Sequence, residues 1–444
     1  MVNNTLWCLG EEQISYEIIN LYKWVCNIHG SDIEIVDEIK YIKHEKTIEI
    51  TGLKSSRYNK FIYCIVQRDG NGFVDYLFYE GNDKPKENGK PIAVAEATKN
   101  TGNEAGNMTS QRSSKKISVI EKWGDIPFAY LITNFQTIEN CYESFTHTHK
   151  CDFATMQNFG HSDIIISEIG KLGYKKFEND FKYDSISEII KRESQKRLSR
   201  GVPSRVKLED GKILIQCNLF KKKGNHDPGE GYVASRSYLV RKLDSNIEIV
   251  LVDHGRDKKF FEKSNNKLIN VLKTVGVTIK LKNGESFIIK KDENVYNKSY
   301  WKFANTGEKM ASIFMENEFR NKGYEVLFTN HAGCGKSYIN IFDKYYTSKQ
   351  GKGIPDIVFY KKETNELLVI EGETTENYKK GIKQVLDKKF DDFIQREFIS
   401  RLPNNTSVKK YLCTFGDYNN EPEVLFNLDK DFKINLNEQA TPIK

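Results

Sequence analysis

Residues Pro355-Asp356-Ile357-Val358-Phe359-Tyr360-Lys361-Lys362-Glu363-Thr364-Asn365-Glu366-Leu367-Leu368-Val369-Ile370-Glu371-Gly372-Glu373 decide the reading of this chain. Two short β-type runs, 357–360 and 367–370, flank the polar turn 361–366, which spells a hairpin. An aspartate opens the first run and Glu-x-Glu closes the second, so Asp356, Glu371 and Glu373 converge at one end of the hairpin. Side chains alternate along a strand, so Glu371 and Glu373 share a face. Three oxygen-rich side chains on one sheet edge suit a hard divalent cation such as magnesium. A metal there activates water and neutralises charge on a phosphodiester.

The flanks extend the pattern. Residues 306–322 place Met310, Ile313, Phe314, Asn317 and Phe319 near a helical period, with Gly323 as a stop. Residues 324–328 predict a strand. Residues 378–402 carry Ile382, Val385, Leu386, Phe390, Phe393, Ile394 and Phe398 at amphipathic spacing, and 411–415 predict a last strand. The order is helix, three strands, helix, strand. It resembles the αβββαβ core of the PD-(D/E)xK nuclease superfamily, to which many restriction endonucleases belong. The resemblance implies an α/β mixed-sheet fold, metal-dependent cleavage of double-stranded DNA and a magnesium cofactor. It makes Asp356 and Glu371 the metal ligands. Glu373 stands where the common motif has Lys, as in the BamHI-type variant, and the resemblance makes it a base or a further metal contact.

The chain has 444 residues, which predicts two or three domains rather than one core. Its 68 Lys and Arg exceed 61 Asp and Glu, a formal charge of +7 that fits a nucleic-acid partner without establishing one. No apolar run approaches the roughly 20 residues of a membrane helix, and residues 1–12 carry no basic-then-apolar signal. A cytoplasmic location without membrane contact is expected. The eight cysteines form no Cys-x-x-Cys pair, so reduced thiols are the default. Cys141, His147, His149 and Cys151 are zinc-type ligands, but His-x-His is not a common finger spacing, and this stretch predicts a strand edge or loop.

The amino-terminal part repeats much the same order. Residues 11–28 are amphipathic, 33–50 and 61–66 predict strands, 73–79 carry Asp75, and 91–95 lead into Glu96-Ala97-Thr98-Lys99. Val94-Ala95-Glu96-Ala97-Thr98-Lys99 looks like the catalytic strand of EcoRI-type enzymes, with one residue too many between Glu96 and Lys99. The resemblance implies Asp75 and Glu96 as metal ligands and Lys99 as a catalytic cation. Two alignments stay open. A bulge at Ala97–Thr98 re-aims Lys99, or Ala97 occupies the place of a lost glutamate, since Ala97 and Lys99 share a strand face. Downstream, Asn103, Asn107, Gln111, Arg112 and Lys115 are residue types that pair with base edges and phosphates.

The expected domains are 1–150, nuclease-like or DNA-recognising; 151–300, linking or target-recognising; and 301–444, the nuclease domain. Within the middle part, the pairs His226-Asp227 and Asp253-His254 are metal or phosphate candidates. Gly333-Cys334-Gly335-Lys336-Ser337 imitates the end of a phosphate loop, but Asn330 replaces the required first glycine and a strand-like run follows. Lys336 and Ser337 are DNA-contact candidates instead. The expected activity is that of a type II site-specific deoxyribonuclease. Two active sites predict a monomer, and one predicts a homodimer. The rival expectation is a DNA-binding protein built on degenerate nuclease folds.

Overall fold

The computed structural model describes residues 4–10, 16–44, 47–65, 74–85, 89–98, 105–134, 138–143, 145, 147–168, 171–178, 183–195, 204–217, 228–253, 256–263, 269, 272–273, 275–292, 311, 314–315, 318–319, 321–329, 336–339, 344–347, 353–429 and 433–444. The protein is a mixed α/β chain with three mixed β-sheets.

The first sheet is built around Thr5–Gly10 (β1), in which every residue is buried, as expected of a strand covered on both faces. Its other strands are β2 (Ile33–Lys43), β3 (Ile48–Ser55), β4 (Lys60–Ile65), β5 (Tyr76–Glu80), β6 (Ala93–Thr98), β7 (Phe128–Asn134), β8 (Ser162–Glu168) and β9 (Tyr174–Phe177). They lie in the order β2-β3-β4-β1-β5-β6-β7-β8-β9. Helix α1 (Tyr16–Ile28) packs Ile18, Leu21, Tyr22 and Val25 with the face that carries Leu6, Cys8, Ala93 and Ala95. The opposite face, with Trp7, Leu9, Val94 and Tyr130, meets Val119 and Trp123 of α2 (Ala105–Trp123). Cys141 of α3 (Ile138–Glu143) and Phe153 and Met156 of α4 (His147–Asn158) join that face. Because β8 and β9 complete this sheet, the first unit runs to Phe177, past the boundary expected at 150.

The second sheet holds β10 (Ser204–Glu209), β11 (Lys212–Cys217), β12 (Glu248–Asp253), β13 (Val277–Leu281) and β14 (Ser286–Ile289). Around it lie α5 (Ile186–Gln195), α6 (Pro228–Leu243) and α7 (Lys258–Lys263). Ser113 of α2 and Ser235 of α6 meet in a buried 2.8 Å hydrogen bond, so α2 is held between the first sheet and the second unit.

The third sheet runs β17-β16-β15-β18-β19-β20-β21-β22. Its strands are β15 (Glu325–Thr329), β16 (Lys336–Ile339), β17 (Lys344–Thr347), β18 (Ile357–Lys361), β19 (Glu366–Thr374), β20 (Ser407–Phe415), β21 (Val424–Leu428) and β22 (Ile434–Leu436). The helical residues Ala311, Phe314, Met315 and Phe319 are buried against one face with Ile357, Phe359, Leu368 and Ile370. Helices α8 (Tyr378–Val385) and α9 (Lys388–Glu397) cover the other face, where Val385, Phe390 and Phe393 pack on Val358, Leu367 and Val369. The amphipathic stretch at 378–402 is therefore two helices rather than one. Asp387 restarts the second by accepting a hydrogen bond from Lys389 N at 2.9 Å.

One pairing pattern occurs in all three sheets. From β5 to β9 the successive pairs are antiparallel, parallel, parallel and antiparallel. The same sequence of pairings links β10 to β14 and β18 to β22. In each case helix lies between the second and third strands: α2, α6, and α8 with α9. The first and third sheets also share an antiparallel neighbour before the hairpin, β1 and β15 respectively. A parallel pair needs a crossover, and an amphipathic helix supplies it while covering the sheet. A single buried apolar cluster includes residues from both the first and the third sheets. Among the described residues no helix is long and apolar enough to cross a membrane.

Candidate active site

The hairpin at 357–374 forms as its sequence predicts. Register pairs Ile357 with Ile370, which sets Asp356 beside Glu371 at the open end. Asp356 N donates to the Ile370 carbonyl at 3.0 Å. The Asp356 carboxylate oxygen Oδ2 accepts from Gly372 N at 2.8 Å. These two backbone contacts tie the aspartate to the neighbouring strand. The turn end is closed by Asn365 in the left-handed region at φ 50°, a conformation that asparagine tolerates better than most residues. Its Oδ1 accepts from Tyr360 Oη at 2.8 Å.

Glu371 and Glu373 are 5 % and 3 % exposed and share the strand face of Leu367 and Val369, which α8 covers. Buried carboxylates need partners, and α8 provides them from one stripe. Gln384 Nε2 donates to Glu371 Oε1 at 2.6 Å, and Lys380 Nζ donates to Glu373 Oε1 at 2.6 Å. Lys380 and Gln384 are four residues apart, one helical turn, so both point at β19. The helix sits close: a Cβ on Gly381 would lie 3.1 Å from Glu373 Cγ and 3.1 Å from a Leu412 methyl. Glu373 Oε2 and Gln384 Oε1 are buried oxygens with no hydrogen-bond partner among the described residues.

The amino-terminal unit repeats this arrangement. Tyr76 pairs with Ala95, which sets Asp75 beside Glu96 as Asp356 stands beside Glu371. Asp75 Oδ2 accepts from Ala97 N at 2.8 Å, the counterpart of the Asp356–Gly372 bond. Asp75 N donates to Glu96 Oε2 at 3.1 Å. The covering helix again supplies cations. Lys115 Nζ of α2 lies 2.5 Å from Glu96 Oε1 and 3.9 Å from Asp75 Oδ1, and the Arg112 guanidinium also contacts Glu96 Oε1. The adjacent Lys116 is structural. It is fully buried, donates to Asp125 at 3.1 Å and to the Ile126 and His161 carbonyls at 3.0 Å, and its ammonium is pushed down by burial.

Register decides the two alignments of Glu96-Ala97-Thr98-Lys99. Pairing of β6 with β7 is unbroken from Val94 to Thr98, so no bulge falls at Ala97–Thr98. Ala97 lies on the opposite face from Glu96 and packs against the cluster that holds Ala93 and Ala95. A glutamate at Ala97 would face that cluster rather than Asp75. Thr98, 5 % exposed, holds the position that Glu373 holds in the third sheet. Lys99 and Asn103 lie outside the described residues, and Asn107 and Gln111 are on α2 without described side chains.

The remaining candidates fall elsewhere. Lys336 and Ser337 begin β16, in keeping with a strand rather than a phosphate loop, and their side chains lie outside the described set. His226, Asp227 and His254 are outside it as well. Asp253 is buried at the end of β12 with Arg256 Nε 3.4 Å away. His147, His149 and Cys151 are helical, on α4, where a strand edge or loop was expected. In the second sheet, register pairs Ser204 with Cys217 at the open end of the described β10–β11 hairpin.

Among the described residues no three His, Cys, Asp or Glu side chains gather into a metal cage. The Asp356–Glu371 and Asp75–Glu96 pairs are nonetheless of the kind magnesium uses, because that ion keeps several waters and takes only one or two carboxylates. All-oxygen donors fit it and do not fit zinc's preference for nitrogen and sulfur. Lys115, Lys380 and Gln384 were missed as partners of these carboxylates, since strand spacing carries no information about the helix above it. Comparison with family models, curated proteins and solved structures finds no match to this chain.

Proposed function

We propose that this chain is a magnesium-dependent DNA endonuclease of the type II restriction kind, with PD-(D/E)xK-like units at both ends and a linking or target-recognising unit between them. One observation carries the reading. Two hairpins far apart in sequence each place Asp beside Glu, and in each the Asp accepts a 2.8 Å bond from the residue after the Glu. An accidental acidic turn has no reason to recur with the same backbone bond, the same strand pairing and a cationic helix above it.

Asp356 and Glu371 would hold the ion in the third sheet, and Asp75 and Glu96 in the first. When bound, magnesium neutralises phosphate charge and lowers the pKa of water. Glu373 offers the buried oxygen Oε2 to the attacking water and takes its proton. The water oxygen forms a new P–O bond as one ester P–O bond breaks, and the leaving oxygen departs as a hydroxyl by taking a proton from solvent water. Lys380 fixes the other oxygen of Glu373, and Gln384 fixes Glu371, so neither carboxylate needs to reorganise. In the first unit Lys115 stands on Glu96 as Gln384 stands on Glu371.

The test is digestion of a fully sequenced plasmid with the full chain and magnesium, followed by mapping of both strand ends. Magnesium-dependent cuts at a fixed sequence are expected. Binding that never leads to a nick would make the chain a DNA-binding protein on degenerate nuclease units.

A further inference from the structure

The Asp75–Glu96 pair carries two negative charges, and α2 already opposes them with two positive ones. Lys115 is 2 % exposed, with its ammonium between Glu96 and Asp75. Arg112 is different. Its side chain is 19 % exposed while its guanidinium rests on the fully buried Glu96. It lies in the half of α2 that also carries Asn107 and Gln111. A guanidinium binds a carboxylate, a DNA phosphate or a guanine edge with the same planar fork of donors. Lys115 is enclosed and stays; Arg112 has a route to solvent.

We infer that Arg112 is a gating residue that exchanges partners. Without DNA it caps Glu96 and completes the charge balance of the pair. On DNA it transfers to a phosphate or base edge, and Glu96, relieved of that cation, would hold magnesium together with Asp75. Metal entry into the first unit is thereby conditional on DNA engagement. Linkage makes the coupling reciprocal, so metal tightens DNA binding by the same factor. The inference rests on the nuclease reading of Asp75 and Glu96.

The experiment uses the full chain carrying Glu371→Ala, which silences the carboxyl-terminal pair, and calcium as a probe that supports binding without cleavage. Calcium affinity is measured by calorimetry with and without a duplex that spans the mapped cleavage site. With Arg112 present, DNA is expected to raise calcium affinity by about tenfold or more, a coupling of usual size. Arg112→Gln is expected to bind calcium without DNA nearly as well as the DNA-bound parent, with little further gain on adding DNA. Arg112→Lys, which keeps a cation, is expected to stay DNA-dependent. Equal calcium affinities of the Arg112 and Arg112→Gln chains without DNA would overturn the inference, as would an undiminished DNA effect in Arg112→Gln. The underlying metal site is checked separately. Adding Glu96→Gln to Arg112→Gln must abolish calcium binding, and if it does not, the nuclease reading of this pair fails. Thermal unfolding of each variant confirms that it is folded, which the partial exposure of Arg112 favours.

Discussion

The first and third sheets solve one problem with different helices. Both set an Asp–Glu pair at the open end of a hairpin and lock the Asp with a backbone N–H. Over the first, a single 19-residue helix lowers Arg112 and Lys115, two cations three residues apart, onto Glu96. Over the third, an 8-residue helix lowers Gln384 onto Glu371 and Lys380 onto Glu373. The carboxylates are fixed by strand register, where one slip would turn every side chain to the other face. The helix partners are held only by a packing stripe and are free to differ. The difference predicts a carboxyl-terminal unit with its own base, Glu373, and an amino-terminal unit with Thr98 in that place, more dependent on its lysine.

The largest effect expected is from Asp356→Ala or Glu371→Ala. If the pair holds the metal as proposed, each substitution removes charge stabilisation from the transition state, and cleavage of the strand served by the third sheet should fall by about 10²–10³ or more. End-labelled duplex separates the strands, and binding in calcium should persist. Loss of both cuts from either substitution would break the comparison by showing one site instead of two. Undiminished cleavage would remove the third sheet from the chemistry.

The helix lysines come next. Lys380→Ala should lower the rate at the carboxyl-terminal site by about 10- to 100-fold, the usual consequence of losing a group that orients a ligand. Most of the loss should appear in kcat rather than KM, with partial rescue by Lys380→Arg. Lys115→Met should cost the amino-terminal site at least as much. An effect on KM alone would make these lysines DNA contacts rather than positioning residues.

These lysines mark where sequence reading stops. The hairpin at 357–374 was legible because β-branched runs, a polar turn and carboxylates at both ends all agree with period two. The strands at 324–328 and 411–415 and the helical stretch at 378–402 were legible from their apolar spacing, but the expected helix–strand–strand–strand–helix–strand order is not the order observed: β16 and β17 fall between β15 and β18, two helices follow β19, and β21 and β22 follow β20. Lys115 and Gln384 lie 19 and 13 residues from the glutamates they touch, and nothing in their spacing relates helix phase to strand face. The pairing shared by all three sheets resides in hydrogen bonds between distant strands, which no local pattern encodes. The alternation of Thr146, His147, Thr148 and His149 reads as a strand edge or loop, whereas the chain is helical from His147.

The face of Ala97 offers a smaller, sharper test. Its register places it with Ala93 and Ala95, so Ala97→Glu should create no cleavage and should destabilise the chain by about 1–3 kcal/mol through a carboxylate forced toward an apolar cluster. Urea unfolding reads the stability, and strand-resolved nicking in a Glu371→Ala background reads the activity. Glu96→Ala in that background should abolish the remaining nick. New cleavage in Ala97→Glu that depends on Asp75 would contradict the strand register itself.

The smallest effect concerns the hairpin ends remote from the sites, where the two units again use one device. Glu80 accepts from Arg57 Nε at 2.9 Å and from Tyr58 Oη at 3.1 Å. Glu366 accepts from Tyr324 Oη at 2.7 Å and pairs with Lys409. Burial works to raise both carboxyls, but the hydrogen bonds from Arg57 and Tyr58, and from Lys409 and Tyr324, hold both below the ordinary glutamate range. A carboxyl depressed in the folded state stabilises the fold above its unfolded pKa of about 4.3, and that stability is lost as pH falls through the lower folded value. Arg57 and Lys409 are 39 % and 42 % exposed, so solvent screening keeps each contribution under about 1 kcal/mol. Arg57→Met and Lys409→Met should therefore each lower stability slightly at pH 7, and the deficits should shrink as the medium is acidified below about pH 4. Arg57 engages Glu80 through two nitrogens, at 2.9 and 3.1 Å, so its deficit should be the larger. Equal deficits at neutral and acid pH would mean that these residues act through packing of their stems rather than through charge.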